Sequence, residues 1–587
     1  LRYKVAGGKG GGVALSHLWP AFPLDRIVYE DSSIIVIDKP IGVPTHGADP
    51  SRSDDALSRL RSALSERDGL SVDRVYLGTH QRLDRDTSGT LLFTRQKEAN
   101  AAVGNQFEAR TVKKTYLAVL SHWPRELDRG ALTHDIAPAE GGRMRVVGRD
   151  AKGASAKRAV TRYRVVKREG TRALLELHPE TGRTHQLRVQ LEAAGGAIAG
   201  DRLYGGEPAP RLMLHATALA LRHPVTGAPI AVRAAPPAEL EAWLGDPKLA
   251  VGAGDWRFDA RLRAAAELRF SLGRSNDTTA FRLVHGEGDG VDGVAIDVYG
   301  EHFVVHFFSD EAMRDREAIL DKAYALGPRG VYVKMHPKQA NTLVDPRSLE
   351  FAPPTPVRGE PARDPLWARE HGLSFRVSLG DGLKTGIFLD QRENRRRVRD
   401  LSNGKRVLNL FAYTCGFTVA AAVGGARETV SVDASEGALA WGADNLVENG
   451  FAAVAPADFG ARSAAHALVA ADAFVWLKLA AKRGERFELV VIDPPSYATT
   501  KTSRFSAESD WPDLAARALA VVAGGGRMLA CTNHQGITGM RFRRMMHEAG
   551  RLAGRRLVQV KDLPPSDDFP PPPEGVPHLK SILITVE

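Results

Sequence analysis

The sequence predicts a multidomain protein: an α+β front portion, a small α+β domain in the middle, and a Rossmann-like α/β domain at the end. Three observations carry this. The chain has 587 residues, too many for one hydrophobic core, so roughly two to four domains are expected. In the front portion, strand-like runs such as Ile34-Ile35-Val36-Ile37 and Thr115–Leu120 alternate with helical spacing over Asp54–Glu66 and Gln96–Arg110. In the last third, Val407-Leu408-Asn409-Leu410-Phe411 runs into a turn of small residues and an Ala-rich helix over 418–424. A second strand, Thr429-Val430-Ser431-Val432, then ends on Asp433. Strand, turn, helix, strand, acid is the pattern of a nucleotide-binding α/β unit.

Composition narrows the class. Hydrophobic residues at 43% and charged residues at 26% are ordinary for a soluble globular protein. A formal net charge of +10 points to a polyanionic partner. Two cysteines, Cys415 and Cys531, exclude a disulfide framework and a Cys-based zinc site, and they fit a reducing cytoplasm. No apolar run approaches ~18 residues, so no membrane span is expected. The opening Gly/Lys stretch lacks the apolar core of a signal peptide and reads as a flexible basic leader over 1–24.

The most informative stretch of the front portion is Thr79-His80-Gln81-Arg82-Leu83-Asp84-Arg85-Asp86-Thr87-Ser88-Gly89, followed by Leu91-Leu92-Phe93. Alone it reads as a solvated loop with local ion pairs. It is not alone. Lys113-Lys114-Thr115-Tyr116 follows, and then Gly182-Arg183-Thr184-His185-Gln186-Leu187-Arg188. Lys39-Pro40-Ile41-Gly42-Val43-Pro44 precedes it, and Gly200-Asp201-Arg202-Leu203-Tyr204-Gly205 and Arg211–Ala216 come later.

In this order the motifs resemble the RluA family of RNA pseudouridine synthases over about residues 25–235. Gln81 stands where that family usually has histidine. The resemblance implies an α+β domain with a mixed antiparallel sheet over 25–240. It also implies a cofactor-free isomerisation of uridine and a structured RNA as partner. Asp84 is then the catalytic carboxylate, which attacks the sugar or base or moves a proton. Arg183 is its expected guanidinium partner, and Tyr116 stacks on a base turned out of its helix. Arg82 and Arg188 are expected on the RNA. The Arg/Lys-rich stretch 143–168 has two readings, a half-buried hairpin with a charged outer face or an RNA-backbone surface.

Composition shifts over 236–263, and 241–270 is expected as a linker. A small α+β domain over 271–380 follows, with a turn at Asp289–Gly293 and paired strands at Val294–Val298 and Phe303–Phe308. The turn lacks the spacing of a calcium loop.

Lys384–Arg395 includes Phe388, Gln391, Arg392 and Arg395 within an arginine-rich run. That run is either a solvated helix face or part of a recognition segment. Farther on come Asp472, at the head of Ala473-Phe474-Val475-Trp476-Leu477, and Asp493-Pro494-Pro495-Ser496-Tyr497 after an apolar strand. A nicotinamide fold is the alternative, but its G-x-G-x-x-G is missing.

Together these segments resemble the large-subunit ribosomal RNA methyltransferases of the 5-methylcytosine or 7-methylguanine type, with a class I domain over 381–587. The resemblance implies S-adenosylmethionine held by Asn409, Phe411, Tyr413, Gly416, Asp433, Asp472, Asp493, Phe388 and Gln391. It also implies RNA contacts from Arg392 and Arg395, and base handling by Asp493. Cys531 is either a C6-attacking nucleophile or a buried small hydrophobe. Leu579–Val586 reads as a final edge strand, and 541–556 as an amphipathic helix with a basic face.

Overall fold

The computed structural model describes residues 15–47, 54–139, 142–148, 156–247, 251–336, 349–452, 455–457, 465–499, 504–572 and 575–587. Residues 1–14 of the expected leader and 149–155 of the basic stretch lie outside them; over 16–24 the expectation of a flexible leader is corrected, because Trp19, Ala21 and Phe22 are buried and the latter two join the front core. The chain divides into two compact units. One holds Ser16–Val251 and Asp255–Ser271, and the other is built on Leu272–Glu587.

An eleven-stranded mixed sheet runs through the front unit. Its spatial path is Ile27–Glu30, Ile34–Lys39, Ser88–Thr94, Leu214–Arg222, Lys113–Leu120, Arg172–Pro179, Lys157–Glu169, Arg129–Pro138 and Met144–Val147. Pro229–Arg233 and Gly78–Thr79 pair off this path. Ser88–Thr94 and Leu214–Arg222 run parallel, with Ser88 opposite His215. Ser88–Thr94 is buried along its whole length, as the unbroken run Leu91-Leu92-Phe93 requires. The helix Ala56–Asp68 starts where the Asp55 carboxylate accepts from the Ser58 N–H, and Gly69 ends it at φ 65°.

Of the two readings for 143–168, the described part fits the half-buried hairpin. Burial alternates along Lys157–Glu169, and its outward cations are matched. Arg158 meets Asp135 at 3.3 Å, Arg162 meets Glu180 at 2.5 Å, and Arg164 meets Glu176 at 2.8 Å.

The described residues of the stretch 241–270 form helices rather than a linker. Helix Ala238–Gly245 drives Leu240, Trp243 and Leu244 into the core of the front sheet. Helix Trp256–Leu268 groups with the same unit. There the Trp19 indole donates to Ala266 O at 2.8 Å, Arg26 bonds Glu267 at 2.9 Å, and the Arg59 guanidinium lies 3.8 Å from the Phe270 ring centroid. Alanine-rich helices carry little periodic signal, which is why this stretch resembles a linker in sequence.

The second unit opens on a five-stranded sheet, Ala280–His285, Val294–Tyr299, His302–Phe307, Gly330–Met335 and Arg358–Gly359. The hairpin Leu366–Glu370/Leu373–Val377 follows. A seven-stranded sheet then runs His466–Ala470, Glu428–Asp433, Arg406–Leu410, Phe487–Ile492, Val522–Thr532, Lys580–Val586, Leu557–Leu563. Its first five members are parallel, Lys580–Val586 runs against them, and Leu557–Leu563, antiparallel to Lys580–Val586, runs with them again. Counted in chain order the strands lie 3-2-1-4-5-7-6. The order reverses between Arg406–Leu410 and Phe487–Ile492, and ligands of open α/β sheets bind at the carboxyl ends of such a pair. Lys580–Val586 is not the edge strand its terminal position suggested. It inserts between Val522–Thr532 and Leu557–Leu563, which explains why Ile582, Ile584 and Val586 are all buried.

Candidate active sites

In the front unit the Asp84 loop is clamped on both sides. Thr45 Oγ1 donates to Leu83 O and accepts the Leu83 N–H, both at 3.0 Å. The Thr87 N–H closes a turn on Asp84 O at 3.1 Å. Ser88 Oγ meets His215 Nδ1 at 2.8 Å and accepts from Arg211 at 2.5 Å. Lys39 is buried, and its Nζ donates to Pro40 O, Val43 O and Arg85 O at 2.8, 2.7 and 3.0 Å. Burial pulls this ammonium down to about 7, opposed by the charges of Asp86 and Asp84, and three carbonyl acceptors hold its three protons in place.

Arg188, not Arg183, is the guanidinium at Asp84. Its Nη1 lies 3.4 Å from Asp84 Oδ2, while its Nε and Nη2 grip Asp201 at 2.7 and 2.8 Å. Burial alone would lower the Arg188 pKa, but the two carboxylates outweigh it and raise it. Arg188 is also mostly buried, so it is not the RNA contact expected. The backbone explains the exchange. His185 takes a left-handed φ of 51° just before helix Gln186–Ala193, so Arg188 enters on the first helical turn. Arg183, ahead of the turn, donates instead to Arg158 O at 3.2 Å.

Tyr116 pairs with Leu177 and Ala216 inside the sheet. Burial, with the Asp84 charge behind it, pushes its phenol above the ordinary range. Tyr204 lies under Arg188, with its ring centroid 5.2 Å from the guanidinium carbon. Its hydroxyl meets His185 Nδ1 at 3.0 Å and accepts the Met144 N–H at 2.9 Å. Arg82 is exposed and makes no ion pair among the described residues. Lys39, Thr45, Asp201 and Tyr204 were not singled out as site residues, although the motifs containing Lys39, Asp201 and Tyr204 were.

In the second unit, the loop after Arg406–Leu410 carries three non-glycine residues with positive φ: Phe411 at 57°, Tyr413 at 49° and Cys415 at 62°. Such backbone is costly and concentrates at ligand sites. Asp433 holds this loop, its two oxygens accepting the Tyr413 and Ser435 N–H groups at 2.8 Å each. Gly416 opens the following helix, where a Cβ would meet Arg395 Cδ at 3.2 Å. Phe388 is 45% exposed, with its ring 5.3 Å from that of Tyr413. Asp472 caps helix Ala473–Lys482 through the Phe474 and Val475 N–H groups. Asp493 Oδ2 accepts from Gln391 Nε2 at 2.9 Å. Burial and the neighbouring Asp390 charge raise this carboxyl to about 7.

Four expectations are corrected here. Asn409 is buried and donates to Thr418 Oγ1 at 3.0 Å, which places it beneath the loop rather than in the site. Arg392 is locked by Asp568 at 2.8 Å and Ser566 at 2.6 Å, and Arg395 by Glu370 at 2.8 Å. Both are buried, so they are structural ties and not RNA contacts. Cys531 has no exposed surface. It sits opposite Ser581 in the sheet, and Asn394 Nδ2 lies 3.5 Å from its sulfur. Burial, with the Asp493 charge, pushes its thiol well above the usual range, which disfavours a thiolate nucleophile.

The residues left around the switch point fit S-adenosylmethionine. Asp433 ends its strand and Asp472 follows the neighbouring strand by two residues, both at the carboxyl ends of the sheet, suited to a ribose diol and an adenine amine. Phe388 and Tyr413 supply apolar faces. Among the described residues no cluster suits a metal ion, and no helix is long and apolar enough to cross a membrane.

Comparison with known proteins agrees with this division. The family described as RNA pseudouridylate synthase matches residues 33–193, and S-adenosylmethionine-dependent methyltransferase matches 355–583. The ribosomal RNA large subunit methyltransferase of Deinococcus radiodurans is 34% identical over 301 residues, covering 51% of this chain and 71% of that protein. Ribosomal RNA large subunit methyltransferase I of Cronobacter sakazakii is 31% identical over 313 residues, covering 53% of this chain and 76% of that one. A solved human structure, RNA pseudouridylate synthase domain containing 1, is 27% identical with a TM-score of 0.31, covering 37% of this chain and 86% of that chain. The chain thus belongs to the ribosomal RNA large subunit methyltransferase family, with an RluA-type pseudouridine synthase domain fused ahead of the methyltransferase domain.

Proposed function

We propose that this protein is a bifunctional RNA-modifying enzyme acting on large-subunit ribosomal RNA. The front unit isomerises uridine to pseudouridine, and the second unit methylates a base. The observation that carries the first activity is the Asp84–Arg188–Asp201 array. Asp201 fixes the guanidinium, and the guanidinium steadies a partly exposed carboxylate at 3.4 Å. Asp84 attacks the ribose or the base, and the uracil is released, turned and rejoined through C5. Tyr116 supports the base from the sheet. No cofactor is required, because the bonds broken and made balance within the nucleotide.

In the second unit, bound S-adenosylmethionine supplies an electrophilic methyl group. The chain positions the base between the Asp493-Pro494-Pro495-Ser496-Tyr497 turn and Phe388. Tyr497 is 67% exposed, and its hydroxyl lies 3.4 Å from His534 Nε2, a ring available for stacking. Both cysteines are fully buried. This favours transfer to a ring nitrogen that is already nucleophilic, as guanine N7 is, over a thiolate-assisted transfer to cytosine C5.

Two assays on one RNA test the proposal. Release of tritium from C5-labelled uridine reports isomerisation, and transfer from methyl-tritiated S-adenosylmethionine reports methylation. Asp84→Ala is expected to abolish only the first and Asp493→Ala only the second. If Asp84→Ala leaves tritium release intact, the front-unit assignment is wrong.

A further inference from the structure

One polar side chain beside the front site has no task in the account above. His185 stands immediately before helix Gln186–Ala193 with a left-handed φ of 51°. That conformation is costly for a residue with a Cβ and persists where the surroundings hold it. Here Tyr204 does the holding. The two rings meet edge to face with centroids 5.7 Å apart, and the same Tyr204 ring lies 5.2 Å from the guanidinium carbon of Arg188. Arg188 in turn reaches Asp84 Oδ2 at 3.4 Å. His185 is thus packed on the support of the Asp84–Arg188 pair.

A count of protons fixes the tautomer of His185. The Tyr204 hydroxyl is buried. It accepts the Met144 N–H at 2.9 Å and lies 3.0 Å from His185 Nδ1. Its own proton has no other acceptor among the described residues, and a buried hydroxyl proton takes the acceptor within reach. The Tyr204 O–H therefore donates to Nδ1. Burial lowers the imidazole pKa, the Asp84 charge opposes it, and the balance stays below the ordinary histidine value. The ring is then neutral at pH 7, and its one proton sits on Nε2.

That Nε2–H has no partner among the described residues, and it is not sealed from solvent. His185 itself is half-buried. A nitrogen held in the protonated form neither ligates a metal ion nor acts as a base. It only donates. Asp84 acts electrostatically on this ring, and its negative charge disfavours a phosphate at the same spot. A uracil carbonyl is neutral on arrival and accepts the bond.

We propose that His185 is a further catalytic residue of the front site, its Nε2–H donating to a carbonyl oxygen of the target uracil. The proposal rests on the pseudouridine synthase reading of the front unit. When the C1′–N1 bond breaks, its electron pair goes to the ring, and the charge spreads over N1, O2 and O4. A fixed donor on one of these oxygens is worth more at that moment than in the bound substrate. Rejoining through C5 uses the pair again to form C1′–C5. The C5 proton leaves, N1 gains one, and His185 keeps its own throughout.

The test uses the full chain and a large-subunit ribosomal RNA transcript carrying C5-tritiated uridine. Three quantities are read: the single-turnover rate of tritium release at saturating enzyme, transcript affinity by filter binding, and the melting midpoint. His185→Phe keeps a ring against Tyr204 and removes the donor. His185→Gln restores an N–H at similar reach, and both variants meet the same backbone strain. His185→Phe is expected to slow release by about 100-fold, the scale of one lost oxyanion donor, with affinity and melting midpoint unchanged. His185→Gln should recover to within about ten-fold of wild type. A His185→Phe rate within about three-fold of wild type overturns the proposal, as does a His185→Gln variant as slow as His185→Phe. A loss in His185→Phe that appears in affinity or melting midpoint also overturns it, since the ring is then a binding or packing group alone. If wild type itself releases no tritium, the pseudouridine synthase reading fails and the proposal falls with it. If wild type and His185→Phe release tritium alike, only the proposal fails.

Discussion

Arg183 and Arg188 share one motif and have opposite fates. Both carry the same charge in the same short stretch, and only the phase of helix Gln186–Ala193 aims one of them at Asp84. Removing Arg188 strands Asp84 and the buried Asp201. Arg188→Ala is therefore expected to cost pseudouridine formation about 100-fold or more, while Arg183→Ala costs only a few-fold, read as tritium release. The arginines at 392 and 395 were misleading for a related reason. Their carboxylate partners, Asp568 and Glu370, lie 176 and 25 positions away in sequence, so a local reading finds only a charged run. The loops and strands that carry Asp84, Tyr116, Asp433 and Asp493 were legible because each sits in a motif of recognisable spacing, and the roles proposed for these residues are what the assays above test.

The two remaining residue-scale predictions concern the second site. Cys531→Ser should retain methyl transfer within about three-fold, since the sulfur is sealed in the sheet, whereas a thiolate mechanism would lose essentially all of it. Asp493 gives a pH signature. Its carboxyl is raised from 3.8 to about 7 in the folded protein, so between these values the folded state keeps a proton that the unfolded chain has released. The resulting stability is fully present below about pH 4 and is lost as pH rises through about 7. Urea midpoints of wild type should fall over that window more steeply than those of Asp493→Asn. Parallel slopes would contradict the assignment.

At the scale of elements, the Lys39–Pro44 turn matters beyond its punctuation. Lys39 donates all three protons to carbonyls, one of them that of Arg85, next in sequence to Asp84. Gly42 stands at φ 73°, where an added Cβ would lie 2.0 Å from Leu268 Cδ2. The helix Trp256–Leu268, read in sequence as linker, thus packs on the turn that steadies the Asp84 loop. Lys39→Met is expected to lower pseudouridine formation by about ten-fold or more while methyl transfer stays unchanged, and the paired tritium assays measure both. Gly42→Ala should destabilise the front unit by roughly 1–3 kcal/mol, from combined strain and overlap, seen as a lower melting midpoint. Strand and helix placement was largely legible from periodicity. The order of the last strands was not, because which neighbour Lys580–Val586 inserts between depends on long-range pairing with Val522–Thr532.

For the whole molecule, the central claim is that one chain writes two marks through two independent carboxylates. Each unit has its own core and its own site, so each activity should survive loss of the other. The most direct measurement is mapping of ribosomal RNA from a strain deleted for this gene and complemented with single variants, with carbodiimide derivatisation to reveal pseudouridine, which has the mass of uridine, and mass mapping to reveal the methyl group. Deletion should remove one pseudouridine and one base methylation. Asp84→Ala should restore the methyl group alone, and Asp493→Ala the pseudouridine alone. Full restoration of both marks by Asp84→Ala, or a deletion that loses no pseudouridine, would contradict the account.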